Sequence, residues 1–389
     1  MNVNQFSHYD WALVAFTAFV FVAHLVIITV PLIDYVYDEL LYVNDARYML
    51  DGTPTTFSHP PLAVGVIATS MKLFGDHGIG RRLPSVIAGT FALVILYCMV
   101  RRLRDEKTAF LAAFLLGMES LWFVHSSIAM LDIIAIFFGI LCIYWYVLQR
   151  YVLAGIALGL GMLSKEVILF LFPVLVAQAF FTQSRLLSWP AIKKLSRIFL
   201  MLTLPALVIV LTGFALYNAT FDLDQKGFTS PLKNMKAIVV HNEYAQAFTQ
   251  EWAVHPLRWF VGFTPQPYFI SEMEKDDGVV RREAQYFGQP NWVILYLFWI
   301  ALPFAVVQAW KKRVLERLAV LLFAIPFLLF VGVALMRPTY PFYMLLFTPA
   351  ICIMNACLLS RLPKHVIEIY AFAVITWFLI WFPRTLIMF

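Results

Sequence analysis

The chain has 389 residues, of which 62% are hydrophobic and only 13% are charged. Soluble globular proteins are about one half apolar and about one quarter charged, so lipid rather than water must surround most of this chain. Its 17 glycines, 20 prolines and 4 cysteines exclude the collagenous, disordered and disulfide-rich classes.

The charged residues indicate a membrane protein without a nucleic-acid partner. The net charge of +6 comes from lysines and arginines that cluster between apolar runs. No basic face or aromatic–basic module of the kind that binds nucleic acid is present. Residues 1–10 contain no Lys or Arg before the first apolar run. We therefore predict that this run is a retained membrane span and not a signal peptide.

Eleven apolar runs are candidate membrane spans. A helix that crosses a bilayer needs about 20 mostly apolar residues. The candidates are residues 11–33, 84–100, 108–124, 128–148, 151–164, 167–182, 198–217, 292–310, 318–335, 340–359 and 366–382. The run at 151–164 is short and carries three glycines, so by length alone it could be re-entrant.

The basic clusters predict the orientation of the chain. They lie at 101–107, 185–197, 311–317 and 361–364, and all four fall on one side of the membrane only if 151–164 is a full crossing. Because cytoplasmic loops carry an excess of Lys and Arg, we keep that span. The prediction is an all-α polytopic protein with a cytoplasmic N-terminus and an extracytoplasmic C-terminus.

Two predicted extracytoplasmic loops are too long to be simple connections. The first, residues 34–83, contains an apolar stretch at 61–74 that is too short to cross and is expected to lie in the membrane interface. The second covers residues 218–291 and includes an aromatic stretch. No linker divides the chain, so we predict one membrane-embedded domain over residues 1–389.

Ionisable residues at the outer ends of spans are the candidates for chemistry. Asp38 and Glu39 follow the first span, the motif His59-Pro60-Pro61-Leu62 comes next, and Arg82 precedes Leu83-Pro84 at the second span. Each motif alone has an ordinary explanation, such as a solvated turn or a proline-bounded helix end.

In their order and membrane positions, these motifs resemble the protein O-mannosyltransferase family. Its members are C-type glycosyltransferases that use dolichyl-phosphate-mannose. The resemblance continues through the segments 127–132 and 159–165, and more loosely through the second loop and the residues before the tenth span. It implies a short form of the family without the β-trefoil insertion.

The resemblance implies that the Asp-Glu pair carries the catalytic role. We assign Asp38 as the general base that takes the proton from the acceptor hydroxyl, and Glu39 as a positioning residue. The opposite assignment of these two carboxylates stays open.

A donor phosphate at the membrane surface requires cations at the outer ends of the spans. Arg82, Lys165 and Arg337 map to that level in the predicted topology, and Tyr340 accompanies them. The ordinary alternative for each cation is an interfacial, snorkelling side chain.

Three further sets of residues are assigned less specific roles. Asp132 and His59 join the donor-binding group, although Asp132 could pair with a cation and His59 could cap a helix. His255 and Trp259 are candidates for the acceptor loop. Carboxylates and imidazole at Asp38, Glu39 and His59 could also hold a divalent ion, but we predict no metal and no cofactor, with the lipid-phosphate sugar as the donor substrate.

The predicted function is transfer of a sugar from a dolichyl- or polyprenyl-phosphate donor to an acceptor hydroxyl outside the cytoplasm, with inversion. Mannose and protein Ser/Thr are favoured, in a prokaryotic plasma membrane or the endoplasmic reticulum. The alternatives are a related transferase that modifies a lipid or polysaccharide, and a transporter or lipid flippase. A transporter should carry its charges near the bilayer midplane between repeats.

Overall fold

The computed structural model describes residues 7–29, 35–56, 58–182, 188–223, 230–244, 253–262, 265–274 and 280–382. Parts of the predicted second loop and the predicted C-terminal segment beyond residue 382 lie outside these ranges. The described chain is helical, with one two-stranded antiparallel sheet.

The α-helices of the described chain follow one another along the sequence. They are α1 (His8–Ile27), α2 (Glu39–Leu50), α3 (Leu62–Phe74), α4 (Gly78–Leu103), α5 (Glu106–Gly117), α6 (Ser120–His125), α7 (Leu131–Val147), α8 (Tyr151–Ser164), α9 (Leu171–Phe181), α10 (Trp189–Thr220), α11 (Pro231–Tyr244), α12 (Trp292–Trp310), α13 (Val314–Val333), α14 (Thr348–Leu359) and α15 (Lys364–Ile380). Short 3₁₀ helices cover Glu166–Phe170, Pro256–Arg258 and Pro341–Leu346. The strands are β1 (Gln266–Glu274) and β2 (Val280–Gly288).

The predicted fold class is confirmed, because a helix occupies each of the eleven predicted spans. Five of the described helices are long and apolar enough to cross a bilayer: α1, α4, α10, α12 and α13. The other spans are covered by shorter helices, some of them joined to a 3₁₀ turn. The chain is a multi-pass integral membrane protein.

The predicted span at 108–124 is broken into α5 and α6. The first part ends at Gly117, and Glu119 caps the second part, because its carboxylate accepts the backbone N–H of Trp122 at 2.7 Å. The other carboxylate oxygen accepts the backbone N–H of Asn291 at 2.8 Å, which ties the break to the start of α12.

The glycine-rich run at 151–164 is a full helix that packs closely on its neighbour. It lies between α7 and α10. A Cβ atom at Gly155 would lie 2.5 Å from the carbonyl oxygen of Leu202. Small residues at such a crossing let two membrane helices approach, which explains why a span carries these glycines.

Ion pairs and hydrogen bonds tie together the helix ends that carry the basic clusters. Arg101 donates to Asp10 of α1 at 2.7 Å, Arg104 pairs with the buried Glu316 of α13, and Lys107 donates to the carbonyl of Ser360. The opposite end of α4, where Arg82 lies, faces the predicted first loop.

The predicted loops contain ordered elements. The stretch predicted to lie in the interface is α3, which packs against α2 and α4. The second loop contains α11 and the β1–β2 hairpin, which were not among the elements predicted from sequence.

Candidate active site

A cavity of about 310 Å³ lies between the start of α2, the start of α7, the end of α8 and the Pro341–Leu346 turn. It is lined by six of the residues predicted from the sequence: Asp38, His59, Asp132, Lys165, Arg337 and Tyr340. Residues that are up to about 300 positions apart in sequence therefore meet at one site. This convergence of opposite charges on one cavity is typical of a binding or catalytic site.

Asp38 lines the cavity and immediately precedes α2, as its N-cap residue. Its carboxylate makes no hydrogen bond or ion pair with the described residues, and it does not cap its own helix. Burial raises the pKa of Asp38 to about 6, against the lowering effect of Lys165 and His59 and with the raising effect of Asp132. A half-buried carboxylate with a pKa in this range can accept a proton near neutral pH.

Asp132 and Lys165 form a buried ion pair in the cavity wall. Lys165 Nζ lies 2.8 Å from Asp132 Oδ1, and the lysine and the aspartate are 6% and 5% exposed. The second carboxylate oxygen, Oδ2, is buried without a hydrogen-bond partner among the described residues. A buried acceptor without a partner costs about 1–3 kcal/mol, so a hydroxyl or ammonium group of a ligand would satisfy it.

His59 is oriented by Glu166, a residue without a role in the sequence-based assignment. His59 Nδ1 lies 3.0 Å from Glu166 Oε2, and this contact joins the His-Pro-Pro segment to the turn that follows α8. The other ring nitrogen is then available to the cavity. The contact with Glu166 therefore fixes the orientation of the imidazole. A helix-capping role for His59 is not observed, because the residue that immediately precedes α3 is Pro61.

The wall formed by the Pro341–Leu346 turn and the residues before it is aromatic and carries one more cation. Arg337 is half-buried and lines the cavity without an ion pair to any described carboxylate. Tyr340 stacks on Phe342 with ring centroids 5.8 Å apart, and Lys165 lies 5.6 Å above the ring of Phe342. Of the two cations in the cavity, Lys165 is already paired, and Arg337 is the better candidate for a phosphate.

Glu39 and Arg82 do not line the cavity. Both are 1% exposed, and the guanidinium of Arg82 donates from Nε and Nη2 to the two carboxylate oxygens of Glu39, each at 2.8 Å. The same carboxylate also accepts the backbone N–H groups of Val36 at 2.7 Å and Ala129 at 2.6 Å. The pair joins the first loop, α4 and the segment before α7 directly behind Asp38.

This arrangement differs from the sequence-based assignment of Arg82 as a phosphate contact. The guanidinium is held in a bidentate pair within the protein, so Arg82 is a support of the site and not a residue of the cavity wall. Glu39 is the predicted positioning residue, and its burial agrees with a supporting role in the fold.

The two acceptor-loop candidates also lie away from the cavity. His255 is exposed at the start of the Pro256–Arg258 turn, where its Nδ1 accepts the backbone N–H of Leu257. Trp259 is 0% exposed, and its ring packs edge-to-face against Phe330 and Tyr343, two cavity residues. Trp259 therefore supports the wall from behind.

Several cavity residues had weak or no signals in the sequence. Glu166 directly follows Lys165 in a matched motif and could have been found there. Tyr42 lies one helical turn after Asp38, on the same face of α2. Gln266 comes from the hairpin, and no pattern in the sequence linked it to the first loop.

No metal site is assembled from the described residues. No group of three or more His, Cys, Asp or Glu side chains among them could hold an ion. The candidate set of Asp38, Glu39 and His59 is separated, because Glu39 faces Arg82 while Asp38 and His59 face the cavity. The absence of a metal cofactor stays a prediction.

Comparison with known proteins supports the resemblance noted from sequence. Residues 58–209 match the family model described as dolichyl-phosphate-mannose-protein mannosyltransferase. This segment contains His59, Asp132 and Lys165, three of the six predicted residues that line the cavity, together with Arg82. The resemblance to that family is confirmed over this part of the chain.

A curated relative names a different sugar. An undecaprenyl phosphate-α-4-amino-4-deoxy-L-arabinose arabinosyl transferase from Pseudomonas aeruginosa is 30% identical over 161 residues. The match covers 36% of this chain and 29% of the relative. The chain therefore aligns with less than one third of the length of that protein.

Two solved structures have the same fold. ArnT from Cupriavidus metallidurans bound to undecaprenyl phosphate matches with a TM-score of 0.65 and 17% identity, over 94% of this chain and 62% of that one. The oligosaccharyltransferase of Archaeoglobus fulgidus matches with a TM-score of 0.61 and 13% identity, over 97% and 56%. The chain thus shares the helical membrane fold of these proteins.

Proposed function

We propose that the chain is a glycosyltransferase that moves a sugar from a polyprenyl- or dolichyl-phosphate donor to an acceptor hydroxyl, with inversion. The observation that carries this proposal is the cavity itself. Asp38, a carboxylate without a partner among the described residues, faces the same space as Lys165 and Arg337. A base and cations around one cavity are what a displacement at a sugar phosphate requires.

Arg337 is the main contact for the donor phosphate in this proposal. Its guanidinium can bind two phosphate oxygens at once, and no described carboxylate competes for it. Lys165 adds positive charge to the same cavity, although Asp132 neutralises part of it. Tyr340 completes the phosphate end of the cavity.

The reaction is a single displacement. Asp38 takes the proton of the acceptor hydroxyl while the hydroxyl oxygen attacks the anomeric carbon. The bond between that carbon and the phosphate oxygen breaks, and the lipid phosphate leaves with the electron pair. Cations preorganised around the leaving phosphate stabilise the charge that develops there, which is often the largest catalytic effect.

The sugar contacts are assigned to His59 and Asp132. Asp132 Oδ2 offers a buried acceptor without a described partner, and the imidazole of His59 is oriented by Glu166. Glu39 and Arg82 hold the segment behind Asp38. His255, exposed on the second loop, stays the candidate for acceptor contacts, with Trp259 as the support of the cavity wall.

Two sugars and two acceptor classes are candidates. The family description favours mannose and a protein hydroxyl. The curated relative favours 4-amino-4-deoxyarabinose, and the alternative acceptor considered from the sequence is a lipid or a polysaccharide. No metal is required in either reaction scheme, and the active site is proposed to face the extracytoplasmic side.

The proposal is tested with membranes that contain the chain and a panel of labelled donors. Polyprenyl-phosphate mannose and polyprenyl-phosphate 4-amino-4-deoxyarabinose are supplied, and the label is followed into protein, lipid and polysaccharide fractions. We expect one donor to lose its sugar to one fraction. If no lipid-phosphate sugar is consumed and the chain instead moves lipid across the membrane, the transporter alternative replaces this proposal.

A further inference from the structure

The residue before Asp38 has an unusual backbone conformation. Tyr37 has a φ of +57°, in the left-handed region that residues with a Cβ atom rarely adopt. Such a conformation costs about 1–3 kcal/mol and persists only where the surroundings enforce it. Because Tyr37 directly precedes Asp38, whatever enforces it also sets the direction of the Asp38 side chain.

The enforcing contacts come from the hairpin of the second loop. The backbone N–H of Tyr37 donates to the carbonyl oxygen of Tyr268 in β1 at 2.9 Å. The two tyrosine rings stack, with centroids 4.3 Å apart and an interplanar angle of 18°. A third contact is edge-to-face between Tyr37 and Phe342, at 5.7 Å.

Tyr268 is itself held in place by its neighbours. Its hydroxyl lies 3.0 Å from Nε2 of the buried His125, and the His125 ring stacks on Phe342 at 5.6 Å. The opposite strand contributes Gly288, where a Cβ atom would lie 2.3 Å from the Tyr268 ring. Only a residue without a side chain at position 288 leaves room for this ring.

We propose that Tyr268 is a positioning residue, which holds Tyr37 in the left-handed conformation and thereby fixes the Asp38 carboxylate in the cavity. The inference rests on the proposed function for its catalytic consequence. The physical part, a stack between Tyr37 and Tyr268 that orders the residues before the base, stands on geometry alone.

The arrangement couples two loops that are separate in sequence. The hairpin lies in the segment 218–291, which also carries the acceptor-loop candidate His255, and Asp38 lies in the segment 34–83. An acceptor that displaced the hairpin would therefore also move the base. Tyr268 does not itself line the cavity, so it acts through Tyr37 and not on the substrate.

The test compares four variants of the hairpin. Tyr268→Ala removes the stack, Tyr268→Phe keeps the ring and loses only the hydroxyl, and Gly288→Ala pushes the Tyr268 ring without altering it. Phe287→Ala is the matched control. Phe287 is an aromatic of the same hairpin, but its ring packs on Trp381 at 5.3 Å, away from Asp38.

For transfer from whichever labelled donor the wild-type protein uses, we expect Tyr268→Ala to lower kcat by about 10–100-fold, since a misplacement of about 1 Å can cost about 100-fold. The donor KM should stay within about threefold. Tyr268→Phe should retain most of the wild-type kcat, because the stacked ring is kept. Gly288→Ala should lower kcat as Tyr268→Ala does, and Phe287→Ala should have wild-type kcat.

The pH profile separates positioning from a general loss of structure. Asp38 faces Lys165, His59 and Asp132, and burial raises its pKa to about 6. If Tyr268→Ala releases Asp38 from the cavity, water solvates its carboxylate and its pKa falls. The apparent pKa of the acidic limb of the kcat profile should therefore move toward the ordinary Asp value of about 4. An unchanged limb, or equal losses in Tyr268→Ala and Phe287→Ala, would overturn the proposal.

Hydrogen exchange tests the same stack without any reaction. In the purified full-length protein, amides of the segment around Tyr37 and Asp38 should exchange faster in Tyr268→Ala than in Phe287→Ala. Equal exchange in these two variants would overturn the positioning role. If the wild-type protein transfers no sugar while exchange differs as expected, the proposed function fails and the stack between the loops remains.

Discussion

Two carboxylates that are neighbours in sequence have opposite surroundings. Asp38 faces the cavity without a described partner, while the Glu39 carboxylate accepts four hydrogen bonds from Val36, Ala129 and Arg82. Consecutive residues at the start of a helix point in different directions. This geometry gives the two residues different roles: Glu39 is a fixed ion-pair partner, and Asp38 is the carboxylate left with a raised affinity for a proton.

The environment of Asp38 has a consequence for stability. Its pKa is raised by burial to about 6 in the folded chain, against about 4 in an unfolded chain. The folded state therefore favours the protonated form, and that stabilisation is complete below about pH 4 and is lost as the pH rises through about 6. Asp38→Asn should unfold at a higher temperature than wild type at pH 7, with the difference vanishing near pH 4.

Thermal unfolding in detergent across this pH range measures that difference. Asp76→Asn is the matched control, because Asp76 is a loop carboxylate whose pKa is lowered overall, as its pairs with Arg47 and Arg81 outweigh the effect of burial. This control should lose stability at pH 7. A Tm of Asp38→Asn below wild type at pH 7 would contradict the assigned environment of Asp38.

Arg337 is the residue whose loss should affect the donor most selectively. Removing a charge-assisted hydrogen bond costs about 1.5–3 kcal/mol, which is roughly ten- to a hundredfold in binding. We expect Arg337→Ala to raise the donor Kd by this factor and Arg337→Lys to recover only part of it, since the bidentate fork is lost. Binding of a labelled polyprenyl-phosphate sugar to the purified protein measures this Kd, and an unchanged Kd would move the phosphate contact to Lys165.

At the scale of elements, the start of α4 packs closely against the end of α1. A Cβ atom at Gly78 would lie 2.2 Å from the carbonyl oxygen of Ile28, an atom of the backbone that cannot rotate away. The same carbonyl lies 3.4 Å from Arg82 Nη1, so this contact is continuous with the Glu39–Arg82 pair behind the site.

Gly78→Ala should therefore push α1 and α4 apart and destabilise the chain by about 1–3 kcal/mol. Gly332→Ala in α13 is the control, since no described atom lies within 4 Å of a Cβ atom there. The control should be neutral or slightly stabilising, as alanine is the better helix former. Equal Tm values for the two variants would mean that the α1–α4 contact is not tight.

The helices were easier to predict from sequence than the site. Spans are evident because backbone groups in lipid must be satisfied within the segment, which forces long apolar helices. The hairpin was missed, although Asp277-Gly278 between its strands is a known hairpin dipeptide. Its strands carry many charged residues, and their pairing with the first loop through Tyr268 depends on contacts across more than 200 positions of sequence.

The site itself was predicted in part. Asp38, His59, Asp132, Lys165, Arg337 and Tyr340 were assigned from motif order or from their level in the predicted topology, and all six line one cavity. Arg82 was assigned to the phosphate because the predicted topology places it at the outer membrane surface. The position of a residue along the membrane normal does not reveal the direction in which its side chain points. The guanidinium of Arg82 faces Glu39, and only the packing of α4 against the first loop determines that.

At the scale of the whole molecule, the charges are separated along the helix bundle. Basic residues that pair with Asp10, Glu316 and the Ser360 carbonyl lie at one end, and the cavity lies at the other. Under the positive-inside rule the first end is expected to be cytoplasmic. In a transporter, by contrast, the charges are expected near the midplane.

Single cysteines introduced into a cysteine-free variant test this orientation. A cysteine at Lys311 should react with an impermeant thiol reagent only from the cytoplasmic side, and a cysteine at the exposed His255 only from the outside. Both positions are exposed, so accessibility is not limiting. Labelling of position 255 from the cytoplasm would reverse the orientation and contradict an extracytoplasmic site.

The most direct test of the central claim is the rate of sugar transfer by Asp38→Asn. Asparagine keeps the shape of the side chain but cannot take the proton of the acceptor hydroxyl. With labelled donor at saturation, we predict that transfer falls by about 10²–10⁴-fold while donor binding is retained. The Asp76→Asn control, which removes a loop carboxylate outside the cavity, should transfer at the wild-type rate. Near-normal transfer by correctly folded Asp38→Asn would contradict Asp38 as the base of a glycosyltransferase.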